Sequence, residues 1–329
     1  MNRETRIFVA GGATLLGAAI RDALRGAGFR NVVGEPPDEP DLTVAGQVDD
    51  FFGETQPEYV FFAGGKSGGI QLNWTRPADL MLDNLLAATH VLRAAHEHGV
   101  SKLLYMASSC TYPKHAPQPL RVESLGAGPL EPTSEAYATA KLSGLRLCQA
   151  YRRQYGARFI AAIPADAFGP HDDFGADSGH VIPALMRRAH EAKRRGEPEL
   201  IVWGTGSPRR EFLYSKDAAD ACLFVMDRYD GEAPINLGGG ADLSVADAAR
   251  AVADIVGYRG RIVFDAGRPD GAPLKRLDSG ELFALGWRPS TDFRSALSET
   301  YHWFSQHLTQ GDDHHVRAAL PGAVPHPAP

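Results

Sequence analysis

The chain has 329 residues, 43% of them hydrophobic and 22% charged, enough for one large α/β core plus a smaller lobe, because single cores stop growing near ~250–300 residues. No apolar run approaches the ~20 residues that span a bilayer, and a formal net charge of −6 gives no global attraction to nucleic acid, so an anionic ligand must be met by local positive charge. Three widely spaced cysteines, Cys110, Cys148 and Cys222, argue against a disulfide framework; with a start that runs into an apolar strand and no signal-peptide stretch, they predict a cytoplasmic protein.

Residues 6–10 read as a buried first strand, which Gly11-Gly12-Ala13-Thr14-Leu15-Leu16-Gly17 turns into a helix over 18–26. Such a turn lets backbone N–H groups and a helix N-terminus approach a pyrophosphate; the alternative is a tight turn with no nucleotide. The spacing Gly11-x-x-Thr14-x-x-Gly17 puts Thr14 where the extended reductases carry a middle glycine, adding bulk and a hydroxyl available to a phosphate. Residues 31–34 form the expected second strand. At its end stand Glu35 and Asp38 with no Arg nearby, which leans toward NAD(H), an acidic residue bonding the ribose hydroxyls; equally, Glu35 only starts a loop. Strands over 59–63, 102–107 and 159–163 alternate with helices over 79–98 and 136–155, a pattern of β and α that predicts a doubly wound, parallel, Rossmann-type α/β sheet.

After Pro164 the pattern changes. A loop at Gly169-Pro170-His171-Asp172-Asp173-Phe174 precedes a basic amphipathic helix over 181–195; a strand at 235–238 returns to the sheet, Ser244 caps a helix ending at 256, and 262–264 form a short strand. The expected organisation is a dinucleotide-binding domain over 1–165, completed by about 212–240, with a smaller, discontinuous lobe over 166–211 and 241–308. Residues 309–329 read as a disordered tail, in which His314-His315 is a solvated pair rather than a metal site; no metal site is expected elsewhere.

The chemistry lies at strand ends. Tyr137 and Lys141 stand four residues apart, on one helix face, and a nearby ammonium lowers a tyrosine from its usual ~10 toward working pH. A phenol so tuned protonates an alkoxide as hydride arrives, and Ser108, ending the fourth strand, adds a second hydrogen bond to the same oxygen. Cys110, two residues on, exceeds what a simple carbonyl reductase needs and suggests a second reaction, although a cysteine taken alone is more often buried packing. Cys148 and Cys222 fall in helical patterns and read as packing.

Further stretches are more specific: Lys66-Ser67-Gly68-Gly69-Ile70, Ser108-Ser109-Cys110-Thr111-Tyr112-Pro113-Lys114, Leu130-Glu131-Pro132-Thr133, His180-Val181-Ile182-Pro183-Ala184-Leu185, Val202-Trp203-Gly204-Thr205-Gly206, Arg210-Glu211-Phe212-Leu213, and Phe264-Asp265-Ala266 with Pro269-Asp270-Gly271. On these and the 169–174 loop the chain, over about residues 6–308, resembles the GDP-L-fucose synthase family, the GDP-4-keto-6-deoxy-D-mannose 3,5-epimerase-4-reductases of the extended short-chain dehydrogenase/reductase superfamily. The resemblance implies epimerisation of a 4-keto GDP-sugar at C3 and C5, then reduction of the ketone with NADP(H) or NAD(H). A C4 carbonyl acidifies both neighbouring C–H bonds, so a base on one face and an acid on the other invert each centre through an enolate.

By that resemblance Cys110 is the base, His180 the acid, and Ser108, Tyr137 and Lys141 serve the enolate and alkoxide oxygen. Coenzyme contacts are implied at Gly11, Gly12, Ala13, Thr14, Leu15, Leu16, Gly17, Glu35, Met106, Ala107, Ser108, Ser109, Lys141, Pro164, Ala165, Asp166, Ala167 and His180. Substrate contacts are implied at Arg188, Trp203, Arg210 and Asp270. A guanidinium fork suits a diphosphate, whereas Arg187-Arg188 with Lys193-Arg194-Arg195 otherwise reads as a solvated helix face. Rival readings are a redox-neutral nucleotide-sugar epimerase that retains its coenzyme, an epimerase-reductase for a related 4-keto deoxysugar nucleotide, and a nucleotide-binding protein with a degenerate site. The helices over 79–98 and 136–155 carry apolar residues on more than one face, so a homodimer through a four-helix interface is expected.

Overall fold

The computed structural model describes residues 1–175 and 179–308; the expected tail, with His314 and His315, lies outside them. Ile7–Ala10 (β1) feeds Leu15–Gly26 (α1), followed by Val32–Val33 (β2), Ala45–Thr55 (α2), Tyr59–Phe62 (β3), Ile70–Thr75 (α3), Pro77–Glu97 (α4), Lys102–Met106 (β4), Glu135–Tyr155 (α5) and Phe159–Pro164 (β5). β1, β3, β4 and β5 are apolar and buried almost throughout, as parallel strands covered on both faces must be. The second strand is shorter than expected. Only Val32 and Val33 pair with β1, and Gly34, at φ +64, turns the chain out of the sheet.

The chain continues through Asp166–Phe168 (β6), Val181–Arg195 (α6), Glu199–Trp203 (β7), Arg209–Arg210 (β8), Phe212–Tyr214 (β9) and Ser215–Arg228 (α7) before Ile235–Leu237 (β10) pairs in parallel with β5. The resulting sheet has the order β10-β5-β4-β3-β1-β2, and every pairing in it is parallel. Strand order reverses between β1 and β3, so the crevice at the carboxyl ends of these strands is where a doubly wound sheet binds its ligand. α1 packs on α7, and α4 packs on α2 and α5, giving the two helical layers.

Leu243–Ser244 (β11), Val245–Val256 (α8), Arg261–Asp265 (β12), Leu274–Lys275 (β13), Gly280–Ala284 (α9) and Phe293–Leu308 (α10) complete the described chain. β12 pairs with β7, β9 with β6, and β8 lies between β11 and β13. A second apolar cluster, including Phe168, Ile182, Leu185, Met186, Val202, Val252 and Phe304, joins α6, α8 and α10. The helix expected over 181–195 coincides with α6, and Ser244 caps α8 as expected, its Oγ accepting the Asp247 N–H at 3.0 Å. β6, β8, β9, β11 and β13 are two or three residues long, too short to carry a readable period, and none was expected from sequence.

A buried amide ties the outer segments to the sheet. Asn236 of β10 donates to the carbonyls of Leu120 and Asp278, both at 3.0 Å, and accepts the Tyr112 hydroxyl at 2.7 Å, which satisfies its polar atoms inside the fold. Among the described residues no helix is long and apolar enough to cross a membrane.

Candidate active site

The strand ends open into one cavity of about 1130 Å³. Its nucleotide end is the β1–α1 turn. Gly11 has φ +84, and a Cβ there would lie 2.2 Å from Gly64 Cα; a Cβ on Gly17 would lie 1.9 Å from the Gly11 carbonyl oxygen. Both glycines therefore let turn, helix and β3 loop close on one another, and Ala13, Thr14, Leu15 and Leu16 are the residues left facing the cavity. Thr14 is the N-cap of α1: its hydroxyl donates to the Gly11 carbonyl at 2.8 Å and accepts the Gly17 N–H at 3.1 Å. That hydroxyl directs its proton to the Gly11 carbonyl inside the turn rather than into the cavity.

Two carboxylates close the outer side of the turn. Glu39 accepts the backbone N–H groups of Gly11 and Gly12, the latter at 3.0 Å, and burial raises its carboxyl pKa in spite of those bonds. Glu35 binds Arg25 and lies 4.0 Å from Arg21. The sequence expectation of no Arg beside Glu35 is thus corrected. Both cations come from α1, about two and three turns into the helix, and reach forward to the end of β2. Gly11, Gly12, Gly17 and Glu35 do not line the cavity; they shape its edge.

In the middle of the cavity Ser108 follows β4, and Tyr137 and Lys141 project from the first turns of α5. Ser108 lies beside the Tyr137 phenol, close enough to favour its ionised form. Lys141 donates to the carbonyls of Gly64 at 3.0 Å and Met106 at 3.2 Å, binding α5 to the ends of β3 and β4. Burial pushes Lys141 down to about 8. Burial also pushes Tyr137 up, joined by the nearby Cys110 and Asp166 and opposed by Ser108. The expected lowering of Tyr137 by Lys141 is therefore not the direction its surroundings impose: desolvation of a phenolate outweighs the help of the neighbouring hydroxyl.

Beside this pair lies a charged cluster. Cys110 is partly accessible, whereas Cys148 and Cys222 are buried, as expected of packing thiols. The Cys110 N–H donates to Ser108 Oγ at 3.2 Å, and Lys275 Nζ lies 3.6 Å from Cys110 Sγ and 3.1 Å from Asp166 Oδ1. Ser109 Oγ donates to the same Asp166 oxygen at 3.3 Å, and Arg210 Nε approaches the other at 3.8 Å. Burial would raise Asp166, but Lys275 and Arg210 outweigh it and hold the carboxyl below its usual range. His180 stands at the N-cap of α6, exposed to the cavity; partial desolvation within the cavity lowers its imidazole pKa, with Asp166 and Asp173 opposing.

The outer end is built from the second lobe. The guanidinium carbons of Arg188 and Arg268 lie 5.1 and 4.7 Å from the Trp203 ring centroid, within cation–π range. Asp270 accepts the Thr205 N–H at 2.7 Å and its hydroxyl at 2.9 Å, so this carboxylate clasps the loop after β7 and leaves its backbone carbonyl to Arg210 Nη2 at 3.3 Å. Phe174 stacks on Phe304 at 4.5 Å, bringing the end of α10 to the cavity wall.

Ser108, Cys110, Tyr137, Lys141, His180, Arg188, Trp203, Arg210 and Asp270 thus line one cavity with Met106, Ala107, Ser109 and Pro164, Ala165, Asp166 and Ala167. A dinucleotide fits its inner half: an open helix N-terminus at Leu15 and Leu16, a turn closed by glycines that no Cβ could replace, and a wall of small residues after β4 and β5. Lys275, Glu39 and Arg268 were missed. None belongs to a spacing motif; Lys275 is 165 residues from Cys110, and the only signal was its place just after Pro269-Asp270-Gly271.

The family model for the NAD dependent epimerase/dehydratase family matches residues 7–238. GDP-L-fucose synthase 1 of Arabidopsis thaliana is 46% identical over 307 residues, 93% of this chain and 95% of its own. GDP-L-fucose synthase of Escherichia coli (strain K12) is 42% identical over 310 residues, 92% of this chain and 97% of its own. A crystal structure of a GDP-L-fucose synthetase from Naegleria fowleri bound to NADP superposes with a TM-score of 0.85 at 29% identity, covering 94% of this chain and 96% of the other. With the dinucleotide cradle, the serine–tyrosine–lysine set and the cysteine and histidine in one cavity, these matches place the chain in the NAD dependent epimerase/dehydratase family and, within it, among the GDP-L-fucose synthases.

Proposed function

We propose that the chain converts a GDP-bound 4-keto-6-deoxymannose to GDP-L-fucose by epimerising C3 and C5 and then reducing C4. The observation that carries this reading is that one cavity holds both a serine–tyrosine pair and a cysteine–histidine pair. The sugar ketone sits with its oxygen between Ser108 and Tyr137. Cys110 removes the proton from C3 or C5 on one face, the C–H electron pair enters the enolate, and Ser108 and Tyr137 hold the resulting oxyanion. His180 supplies a proton to the opposite face, which inverts the centre. Solvent then resets Cys110 and His180.

The coenzyme of this reading is NADP(H), as in the N. fowleri structure, or NAD(H); when bound it supplies the hydride. Ala13 to Leu16 and the α1 N-terminus take its pyrophosphate, Lys141 holds the reducing end in place, and Tyr137 delivers the proton that completes the alcohol. Arg188, Arg210 and Trp203 take the nucleotide of the substrate, guanidinium forks on the diphosphate and an indole face for the base. The protein acts in the cytoplasm, as a homodimer through α4 and α5, where Leu82 is 56% exposed; a monomeric sedimentation mass at micromolar concentration contradicts the dimer.

Two variants test the division of labour. Cys110→Ala abolishes deuterium incorporation from solvent at C3 and C5, while Tyr137→Phe leaves incorporation measurable and stops coenzyme oxidation. Persistent incorporation in the cysteine variant removes the thiol from the mechanism.

A further inference from the structure

We infer that Lys275 serves the proton transfers at Cys110, as the fixed cation that positions the sulfur and balances its charge, and takes no part in the reduction. The inference rests on the reading of Cys110 as the epimerisation base.

The register of a two-residue strand sets up the contact. β13 pairs in parallel with β8, with Lys275 opposite Arg210, so both cations are delivered side by side to Asp166, at 3.1 and 3.8 Å. The two side chains are only 18% and 9% exposed. Asp166 has other partners in Arg210 and Ser109, whereas the sulfur of Cys110, at 3.6 Å, receives the Lys275 ammonium. Burial works to lower Lys275, but Asp166 and Cys110 together raise it, so it remains an ammonium through the neutral range.

Counting formal charge, Lys275 and Arg210 supply two positive charges and Asp166 one negative. Of these three side chains one positive charge is left over beside the sulfur, where an unbalanced charge is costly, while the neighbouring buried carboxylate of Glu211 is taken up by the Gly240 and Leu277 N–H groups. A negative sulfur, the form in which Cys110 takes a proton from carbon, completes the balance. During the transfer the S–H bond forms, the C–H pair moves into the enolate, and the negative charge passes to the oxygen held by Ser108 and Tyr137. Lys275 keeps its own proton throughout. Its effect is therefore confined to steps in which sulfur changes charge.

The test is the alkylation of Cys110 by iodoacetamide, followed by peptide mass mapping so that the buried Cys148 and Cys222 are scored separately. Lys275→Met lowers the Cys110 rate at pH 7.5 roughly ten-fold, the effect of removing a cation within ~4–6 Å. C3 and C5 deuterium incorporation falls in parallel, and the affinity for NADPH, read by fluorescence titration, does not change. Lys275→Arg restores most of both rates, which a merely structural role does not explain. Asp166→Asn, which leaves the ammonium to the sulfur alone, alkylates at least as fast as the parent and guards against misfolding of the methionine variant. A wild-type alkylation rate in folded Lys275→Met, or slowed alkylation in Asp166→Asn, overturns the inference. Absence of deuterium incorporation in the parent chain instead defeats the proposed sugar chemistry, and alkylation still decides the Lys275–Cys110 contact.

Discussion

The backbone N–H of Cys110 donates to the Oγ of Ser108 at 3.2 Å. Through that bond the serine that holds the ketone oxygen also fixes the loop carrying the thiol, so the two half-reactions share one anchor. Ser108→Ala removes a donor from the developing oxyanion and is expected to slow reduction by roughly a hundred-fold or more. Because the same substitution frees the Cys110 amide, deuterium incorporation at C3 and C5 falls as well. Steady-state oxidation of NADPH and mass analysis of recovered sugar measure the two losses, and a Ser108→Ala enzyme with intact incorporation contradicts the shared anchor.

The hydroxyl of Thr14 caps α1 and is engaged within its own turn. Thr14→Ala is therefore predicted to cost about 1 kcal/mol of stability and to lower the denaturation midpoint by roughly 2 °C in a chain of this size, with little change in coenzyme affinity. Differential scanning calorimetry and a fluorescence titration check the two halves. A large affinity loss without a stability loss would return the hydroxyl to the phosphate.

Glu35 is the partner of Arg25 and neighbour of Arg21. A 2′-phosphate arriving at the end of β2 meets two guanidiniums and one carboxylate. Glu35→Gln removes the repulsive partner, which at a partly solvated site is worth on the order of 1 kcal/mol, so NADPH binds roughly five-fold more tightly and NADH does not gain. Titration of both coenzymes against parent and variant reads this directly.

Burial pushes Lys141 down to about 8 from the 10.5 usual for a lysine. The ammonium is therefore present below about pH 8 and lost as pH rises through it, and the reduction rate is predicted to fall on that limb. The folded lysine releases its proton before the unfolded one, so between about pH 8 and 10.5 this group makes the fold more stable with rising pH. Activity falling while the thermal midpoint is held or rises distinguishes the titration of Lys141 from unfolding. In Lys141→Arg the limb disappears.

Much of this architecture is legible in the chain. Apolar runs such as Ile7–Ala10 and Phe159–Pro164 have the length and composition of doubly covered strands, and Tyr137 with Lys141 follows from helical spacing alone. Cys110 and His180 were found through motif context. What stayed hidden depends on contacts across long sequence separations. Lys275 reaches Cys110 only because a two-residue strand pairs beside Arg210; Arg21 and Arg25 reach Glu35 from the preceding helix, where a search of the β2 loop does not look. The direction of the Tyr137 shift was missed for a different reason. Sequence reveals the neighbouring cation but not the burial that outweighs it.

The most direct test is to mix the purified protein with GDP-4-keto-6-deoxymannose and NADPH in deuterated water, following coenzyme oxidation by absorbance and the sugar by mass spectrometry and NMR. Stoichiometric oxidation, with deuterium at C3 and C5 of a GDP-L-fucose product, is the predicted result. Deuterium without oxidation, with NADPH and with NADH alike, would contradict the account and leave a redox-neutral epimerase in its place.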